Sequence, residues 1–485
     1  MRYAQIFVDL LTQRTLTTAE MLGLGACVLC LFSAAVFRGE PGRIAVTGFA
    51  LAATALITWQ FASGDWSWEM MPSLAGAALL LIARLYGEGI DQRIPLLAAG
   101  VLVCVSIFYA AVKYPVFEFE KLTGEYPVGT TSVHLVDQNR RETFSSDPKA
   151  RRELMLQVWY PREKSQDQPI ARYRPHEETD LQTRRLSLVR TRSVLNAPVL
   201  NGRYRFPLVL FSPAANGLRT QNTYQMEEIA SHGFVVVGMD HSYGSSYVRF
   251  PDGRVIKGFP NNFLDFSSEQ ALRDSTASVE RDLEARVKDA MFVLDTLLQW
   301  NVSDPSGRFT RKLDTAAAAI IGHSFGGAVA AEACVRDRRF RAGINMDGWM
   351  FGLARKCEIS QPFFYMVDNT PYPQAGKKAV TISERLLDEA IKDGYDTIER
   401  KLSASGGYFL AAEGLQHMNF ADRPLFSLLH RETAAGTIER RLAHRLINAY
   451  TMAFLKQHLK GEPQSLLDRA PVDPGVTYTH RNRTS

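Results

Sequence analysis

The sequence predicts an α/β architecture, a mainly parallel sheet flanked by helices, preceded by an all-α transmembrane bundle of about four helices. Three observations predict it. Long apolar runs crowd the first quarter of the chain, and short β-rich runs alternate with amphipathic stretches from about Tyr126 onward. A single G-x-S-x-G lies between one of those runs and an Ala-rich helical segment.

At 485 residues the chain exceeds the roughly 100 to 200 typical of one domain, so two folding units are expected. Hydrophobic residues make up 46% and charged residues 22%, an ordinary average that hides the apolar N-terminal quarter. The net charge of +5 is dispersed, with no run of like charge interleaved with aromatics, and nucleic acid is excluded as a partner. The five cysteines form no disulfide framework. Cys27 and Cys30 make a C-x-x-C inside an apolar run, where a thiolate is costly and no second ligand pair is offered, so neither a redox nor a zinc role is expected. No metal-ligand spacing, P-loop or dinucleotide fingerprint occurs, and no cofactor is implied.

About 20 apolar residues cross a hydrocarbon core. Met21 to Phe37, Ile44 to Ala62 and Ile94 to Val112 are uncharged and read as spans; Met70 to Tyr86, interrupted by Arg84 near its end, reads as a fourth. A signal peptide would explain one such segment, not a series. Arg38, Arg43, Arg84 and Arg93 on one side balance Arg2, Arg14, Lys113 and Lys121 on the other. The loop holding Asp65, Trp66, Trp68 and Glu69 has no basic residue, which places it outside, and an even span count then places the C-terminal domain there too. The expected organisation is a transmembrane anchor over 1–118, a catalytic domain over 119–465 and a flexible tail over 466–485.

In the second part, Leu154 to Tyr160 reads as an early strand. Pro207 to Ser212, Phe234 to Met239, Ala316 to Gly322, Ala342 to Met346 and Pro362 to Val367 are near-continuous apolar runs, as strands buried on both faces should be. Arg286, Ala290, Val293, Leu294 and Leu297 have helical spacing, as does the segment Ile438 to Leu459. The stretches 147–201 and 243–275 lack clear periodicity and read as loops or lid-like excursions.

Gly322-His323-Ser324-Phe325-Gly326 follows a strand and opens a helix, the context a nucleophile elbow requires. Its glycines keep the turn free of side chains and leave the Ser324 hydroxyl exposed. A serine is a weak nucleophile at neutral pH, so a histidine must take its proton and a carboxylate must orient that histidine. His417 sits in a loop after the apolar run Tyr408 to Ala412 and is the expected base; His430, His444 and His458 fall on or near helical segments. Asp347 and Asp368 each end a strand, and the pattern leaves both open as the acid. The oxyanion donors are expected to be the N–H groups of Phe325, after the nucleophile, and of Ala215 in the loop Pro213-Ala214-Ala215-Asn216-Gly217.

Several blocks resemble the platelet-activating-factor acetylhydrolase family of the plasma and type II class, whose members are α/β-hydrolases. They are Tyr126-Pro127-Val128-Gly129, Tyr160-Pro161, Phe211 to Thr220, Ser231-His232-Gly233-Phe234, Gly322 to Gly327 and Asp347 to Phe351. His417 to Asp422 and Phe454 to Leu459 complete the series. The likeness spans roughly Tyr126 to Gly461 and leaves out the apolar quarter. It implies Asp347 as the acid, because the family takes its carboxylate from that block. Pro213-Ala214 stands where the family usually has His-Gly, which implies a differently shaped acyl site.

Together these readings predict a membrane-anchored serine ester hydrolase with a Ser324–His417–Asp347 triad, acting on a short-acyl lipid or phospholipid-like ester. Two other readings use the same features. An acyltransferase would pass the acyl group to an alcohol, and an inactive membrane sensor would keep the fold without the chemistry; the complete constellation argues against the second.

Overall fold

The computed structural model describes residues 16–37, 39–63, 68–86, 91–164, 168–180, 182–259, 263–369, 381–469, 471 and 473–483. Asp65 and Trp66, part of the loop used above to orient the bundle, lie outside them. The chain divides into two compact units, one helical and one built on a sheet.

The helical unit contains α1 (Thr18–Val36), α2 (Gly39–Ser63), α3 (Met71–Tyr86) and α4 (Arg93–Ile107), whose last turns widen over Phe108–Lys113. Thr17 caps α1 and Glu20 returns the bond, a capping box that closes two otherwise open amides. Small residues line the helix contacts: Ala26, Cys27, Cys30, Ala50, Ala53, Ala77 and Ala99 are buried together. The two thiols go separate ways, Cys27 toward the Ser73 carbonyl and Cys30 toward the Val46 carbonyl, each at 3.6 Å. Large apolar side chains point outward, Leu22, Phe32, Leu51 and Leu97 among them. The expected four spans are reduced by length and composition: among the described residues, two helices are long and apolar enough to cross a membrane, Thr18–Val36 and Arg93–Lys113, while Trp68–Ala83 is shorter.

The helical unit also takes in Arg172–Thr191 and Arg423–Thr433, segments from within the range expected to be catalytic. They are tied to it by specific contacts. Arg185, buried, pairs with Glu20 and donates to the Ala110 carbonyl at 2.9 Å, while Phe426 stacks on Phe117 at 5.9 Å.

The sheet unit is built on β1 (Val128–Arg141), β2 (Arg151–Pro161), β3 (Ile170–Arg172), β4 (Arg190–Leu195), β5 (Phe206–Ser212) and β6 (Val235–His241). A hairpin follows, β7 (Tyr247–Arg249) and β8 (Val255–Lys257), then β9 (Leu313–His323), β10 (Phe340–Met346), β11 (Phe363–Met366), β12 (Gly407–Ala412) and β13 (Val476–Arg481). The 11-stranded sheet runs β13-β12-β11-β10-β9-β5-β6-β2-β1-β4-β3. From β12 to β6 neighbours are parallel, and β2 and β13 turn antiparallel at the flanks. Six expected strands match β2, β5, β6, β9, β10 and β11; β1, β3, β4, β7, β8 and β13 were not read from the sequence, and β12 was read only as the apolar run Tyr408 to Ala412. β13 lies in the segment expected to be a flexible tail: it pairs with β12 from Gly407↔Arg481 to Ala412↔Val476, and its backbone groups close an otherwise open sheet edge.

The longer helices of this unit are α5 (Thr223–Ser231), α6 (Glu269–Ser303), α7 (Phe325–Arg336), α8 (Ile382–Ser405) and α9 (Arg440–Leu455). Ser268 caps α6, and Val279, Leu283, Val287, Ala290, Val293, Leu294 and Leu297 form its buried stripe at helical spacing. A mostly parallel sheet with helices packed on it fits the expected α/β-hydrolase arrangement. The ladder sets Ser212 beside Gly322, His323 beside Met346, Met346 beside Met366 and Met366 beside Leu410. The carboxyl ends of β5, β9, β10, β11 and β12 are therefore level, which is where open α/β sheets carry their chemistry.

Candidate active site

The turn after β9 is forced by sterics. Ser324 has φ +56°, a left-handed conformation that costs a non-glycine residue about 1–3 kcal/mol. A Cβ on Gly322 would lie 1.9 Å from the Gly326 carbonyl oxygen, and one on Gly326 would lie 1.9 Å from that of Ser212, so neither position admits a side chain. The Ser324 N–H donates to the Met346 carbonyl at 2.8 Å, anchoring the elbow to the residue before Asp347.

Asp347 is also left-handed, at φ +59°, and its N–H donates to Met366 at 2.7 Å. This turn brings the carboxylate to His417: Nδ1 lies 2.5 Å from Oδ2. The other Asp347 oxygen accepts the Asp368 N–H at 2.9 Å. Asp368 acts on His417 by its charge. Burial pulls the His417 pKa down, but the Asp347 bond and the charges of Asp347 and Asp368 outweigh it and leave it raised. No hydrogen bond joins Ser324 Oγ to His417 among the described residues; such bonds often tighten only with substrate bound.

The loop carrying His417 is stapled from below. Asn419 Oδ1 accepts the N–H groups of Gln416 at 2.9 Å and Gly436 at 2.7 Å. Asp422, buried, accepts from Thr223 N at 2.7 Å and Tyr224 N at 3.1 Å, so its charge caps the N-terminus of α5.

Sequence reasoning missed two linking residues. Gln221 accepts the Ala214 N–H at 3.1 Å and donates through Nε2 to His323 Nδ1 at 2.7 Å. His323 must then carry its proton on Nε2, which donates to the His417 carbonyl at 2.9 Å. Burial holds His323 well below the usual imidazole range, so it serves as a neutral bridge. The one available signal was its place in G-H-S-F-G. His430, for its part, begins a short helix; His444 is buried and its Nε2 donates to the Ala421 carbonyl at 3.0 Å, and His458 meets Tyr408 Oη at 2.9 Å.

The expected oxyanion donors can be tested by accounting for amides. In the loop after β5, Pro213 has no N–H, Ala214 donates to Gln221, Asn216 to Gly244 at 3.0 Å and Gly217 to Ala214 at 2.9 Å. Ala215 N–H has no acceptor among the described residues. Phe325, first in α7, has one of the open amides of a helix start.

The profile of the platelet-activating factor acetylhydrolase, isoform II, family matches residues 112–465. The chain belongs to this family. The platelet-activating factor acetylhydrolase of Cavia porcellus is 27% identical over 282 residues, covering 54% of this chain and 60% of that protein. A probable 1-alkyl-2-acetylglycerophosphocholine esterase of Arthroderma benhamiae is 32% identical over 146 residues, 30% of this chain and 32% of that protein. The chain thus spans about 60% of the length of the vertebrate relative it matches. Among solved structures, a ferulic acid esterase from Streptomyces cinnamoneus superposes with a TM-score of 0.59 at 28% identity, covering 74% of this chain and 98% of that one. Family membership thus agrees with the resemblance carried by the sequence blocks, and the matched range begins within the last turns that follow α4.

Proposed function

We propose that the chain is a serine carboxylic ester hydrolase that cleaves short-acyl lipid or phospholipid-like esters. The observation that carries the reading is the pairing of His417, in the loop after β12, with Asp347, just past the end of β10 and beside the strained Ser324 turn. In this mechanism Ser324 Oγ attacks the ester carbonyl carbon and His417 Nε2 takes the hydroxyl proton, because Nδ1 faces Asp347. The carbonyl oxygen becomes an anion held by the N–H groups of Ala215 and Phe325. Collapse expels the alcohol, protonated by His417, and leaves an acyl-serine. Water, deprotonated by the same imidazole, then releases the acid.

The names of the relatives support the ester class and, for two of them, an acetylated glycerophospholipid. The apolar helices support a multi-pass anchor, which would raise the local concentration of a bilayer-resident ester. The even helix number and the base-free 65–69 segment favour an extracytoplasmic catalytic unit.

The test is hydrolysis of p-nitrophenyl acetate, butyrate and octanoate and of an oxidised short-chain phospholipid by the detergent-solubilised chain and by Ser324→Ala. The reading expects activity that Ser324→Ala abolishes and that declines with acyl length. Equal rates for both proteins on all four substrates would overturn it.

A further inference from the structure

Arg286, on α6, is wholly buried, yet its guanidinium is turned toward the oxyanion loop. Asp282, one turn earlier, holds it with Nε at 3.1 Å and Nη2 at 2.9 Å. From that fixed position Nη2 donates to the Gly244 carbonyl at 2.7 Å, and Nη1 faces the carbonyls of Ala214 at 3.3 Å and Pro213 at 3.5 Å. Its carbon lies 4.8 Å from the centre of the Phe325 ring. One buried cation therefore touches both chain segments from which the oxyanion donors come.

The Ala214 carbonyl and the Ala215 N–H belong to the same peptide unit, which is planar and trans, so they point in opposite directions. Whatever holds the Ala214 oxygen aims the Ala215 hydrogen. Two donors hold it, Gly217 N–H at 2.9 Å and Arg286 Nη1. A cationic donor on the carbonyl also polarises the peptide and makes its N–H a stronger donor. Gly244 shares in the arrangement: its carbonyl accepts both Arg286 and the Asn216 N–H, and a Cβ there would fall 2.7 Å from Arg286 Nη2 and 3.0 Å from Cζ.

We propose that Arg286 is the positioning residue of the oxyanion hole, setting the Ala215 peptide through the Ala214 carbonyl and bracing the Phe325 segment through its ring. This rests on the esterase reading above. Arg286 is not a catalytic residue: it is shielded from solvent and reaches substrate only through the two amides.

The experiment uses the full chain in detergent, with active sites counted by a fluorophosphonate probe so that rates are per competent site. Arg286→Met and Arg286→Lys should lower kcat on p-nitrophenyl butyrate on the order of 10²-fold with KM little changed, the loss expected for a misplaced stabilising group. A trifluoromethyl ketone, whose adduct with serine carries an oxyanion, should lose affinity in parallel. Gly244→Ala, which displaces the guanidinium without deleting its charge, should act in the same direction and carries the test if Arg286→Met does not fold. The inference is overturned if the folded variants keep kcat per site and ketone affinity within about twofold of the parent, the range of a silent change. It is equally overturned if the loss lies in the number of competent sites alone. If the parent is inactive, or Ser324→Ala retains its rate, the esterase reading itself fails; a dead Ser324→Ala beside an unchanged Arg286→Met removes only the role of Arg286.

Discussion

In the proposed mechanism His417 works only as a neutral base, so its raised pKa places the acid limb of activity: kcat/KM should fall as pH drops through that value. Burial lowers the pKa, and the bond to Asp347 with the charges of Asp347 and Asp368 raises it above the ordinary histidine value. Asp368→Asn removes one of those charges and leaves the Asp347 bond in place. The acid limb should move to lower pH with the plateau retained, as a pH–rate profile on p-nitrophenyl butyrate reads directly; a limb that stays put shows that Asp368 does not act on the base. Asp347→Asn should instead lower the plateau, on the order of 10⁴-fold, because the imidazole loses its tautomer. Gln221→Leu leaves the Ala214 amide and His323 Nδ1 without partners, at about 1–3 kcal/mol of stability. It should lower both the urea midpoint and kcat, and a full kcat at reduced stability would confine Gln221 to a packing role.

Among the elements, β5, β9 and β10 were legible because strands buried on both faces write an unbroken apolar run. β1 was not: its burial alternates unevenly along Val128–Arg141 and its sequence is polar. β13 was read as tail for a related reason, since Val476–Arg481 is only partly buried and gains its order from pairing with β12. His480 stacks on Tyr408 at 4.3 Å and Tyr478 packs tilted against Tyr450 at 5.0 Å, so the edge strand covers aromatic surface as well as open backbone. Truncation after Glu462 should expose the β12 edge just ahead of the His417 loop. Loss of solubility and a lower Tm by calorimetry are expected; an unchanged Tm would show that β13 adds nothing.

For the whole molecule, the contact-based division does not follow the linear one. Arg172–Thr191 and Arg423–Thr433 belong with the helical unit, held by buried Arg185 on Glu20 and by Leu428 N–H on the Val112 carbonyl at 2.9 Å. Removing one partner of a buried pair strands the other charge, at roughly 3–5 kcal/mol. Arg185→Leu should therefore loosen the helical unit, seen as faster alkylation of buried Cys27 and Cys30 in detergent by mass spectrometry. Unchanged alkylation rates would mean that the pair is dispensable. The four apolar stretches are all helical in the structure, while the length and composition criterion keeps two of them as membrane-crossing candidates.

What the sequence determined by itself was local chemistry: the apolar quarter, the run of buried strands and the elbow at Ser324, whose glycines are required within five consecutive residues. Deciding between Asp347 and Asp368 needed more than two strand-end aspartates, because the choice depends on how β10, β11 and β12 align and on the left-handed turn at Asp347. Arg286, Gln221 and His323 carry no motif that declares their partners. Their roles come from contacts between segments distant in the chain, and only the folded sheet brings those segments within hydrogen-bond range.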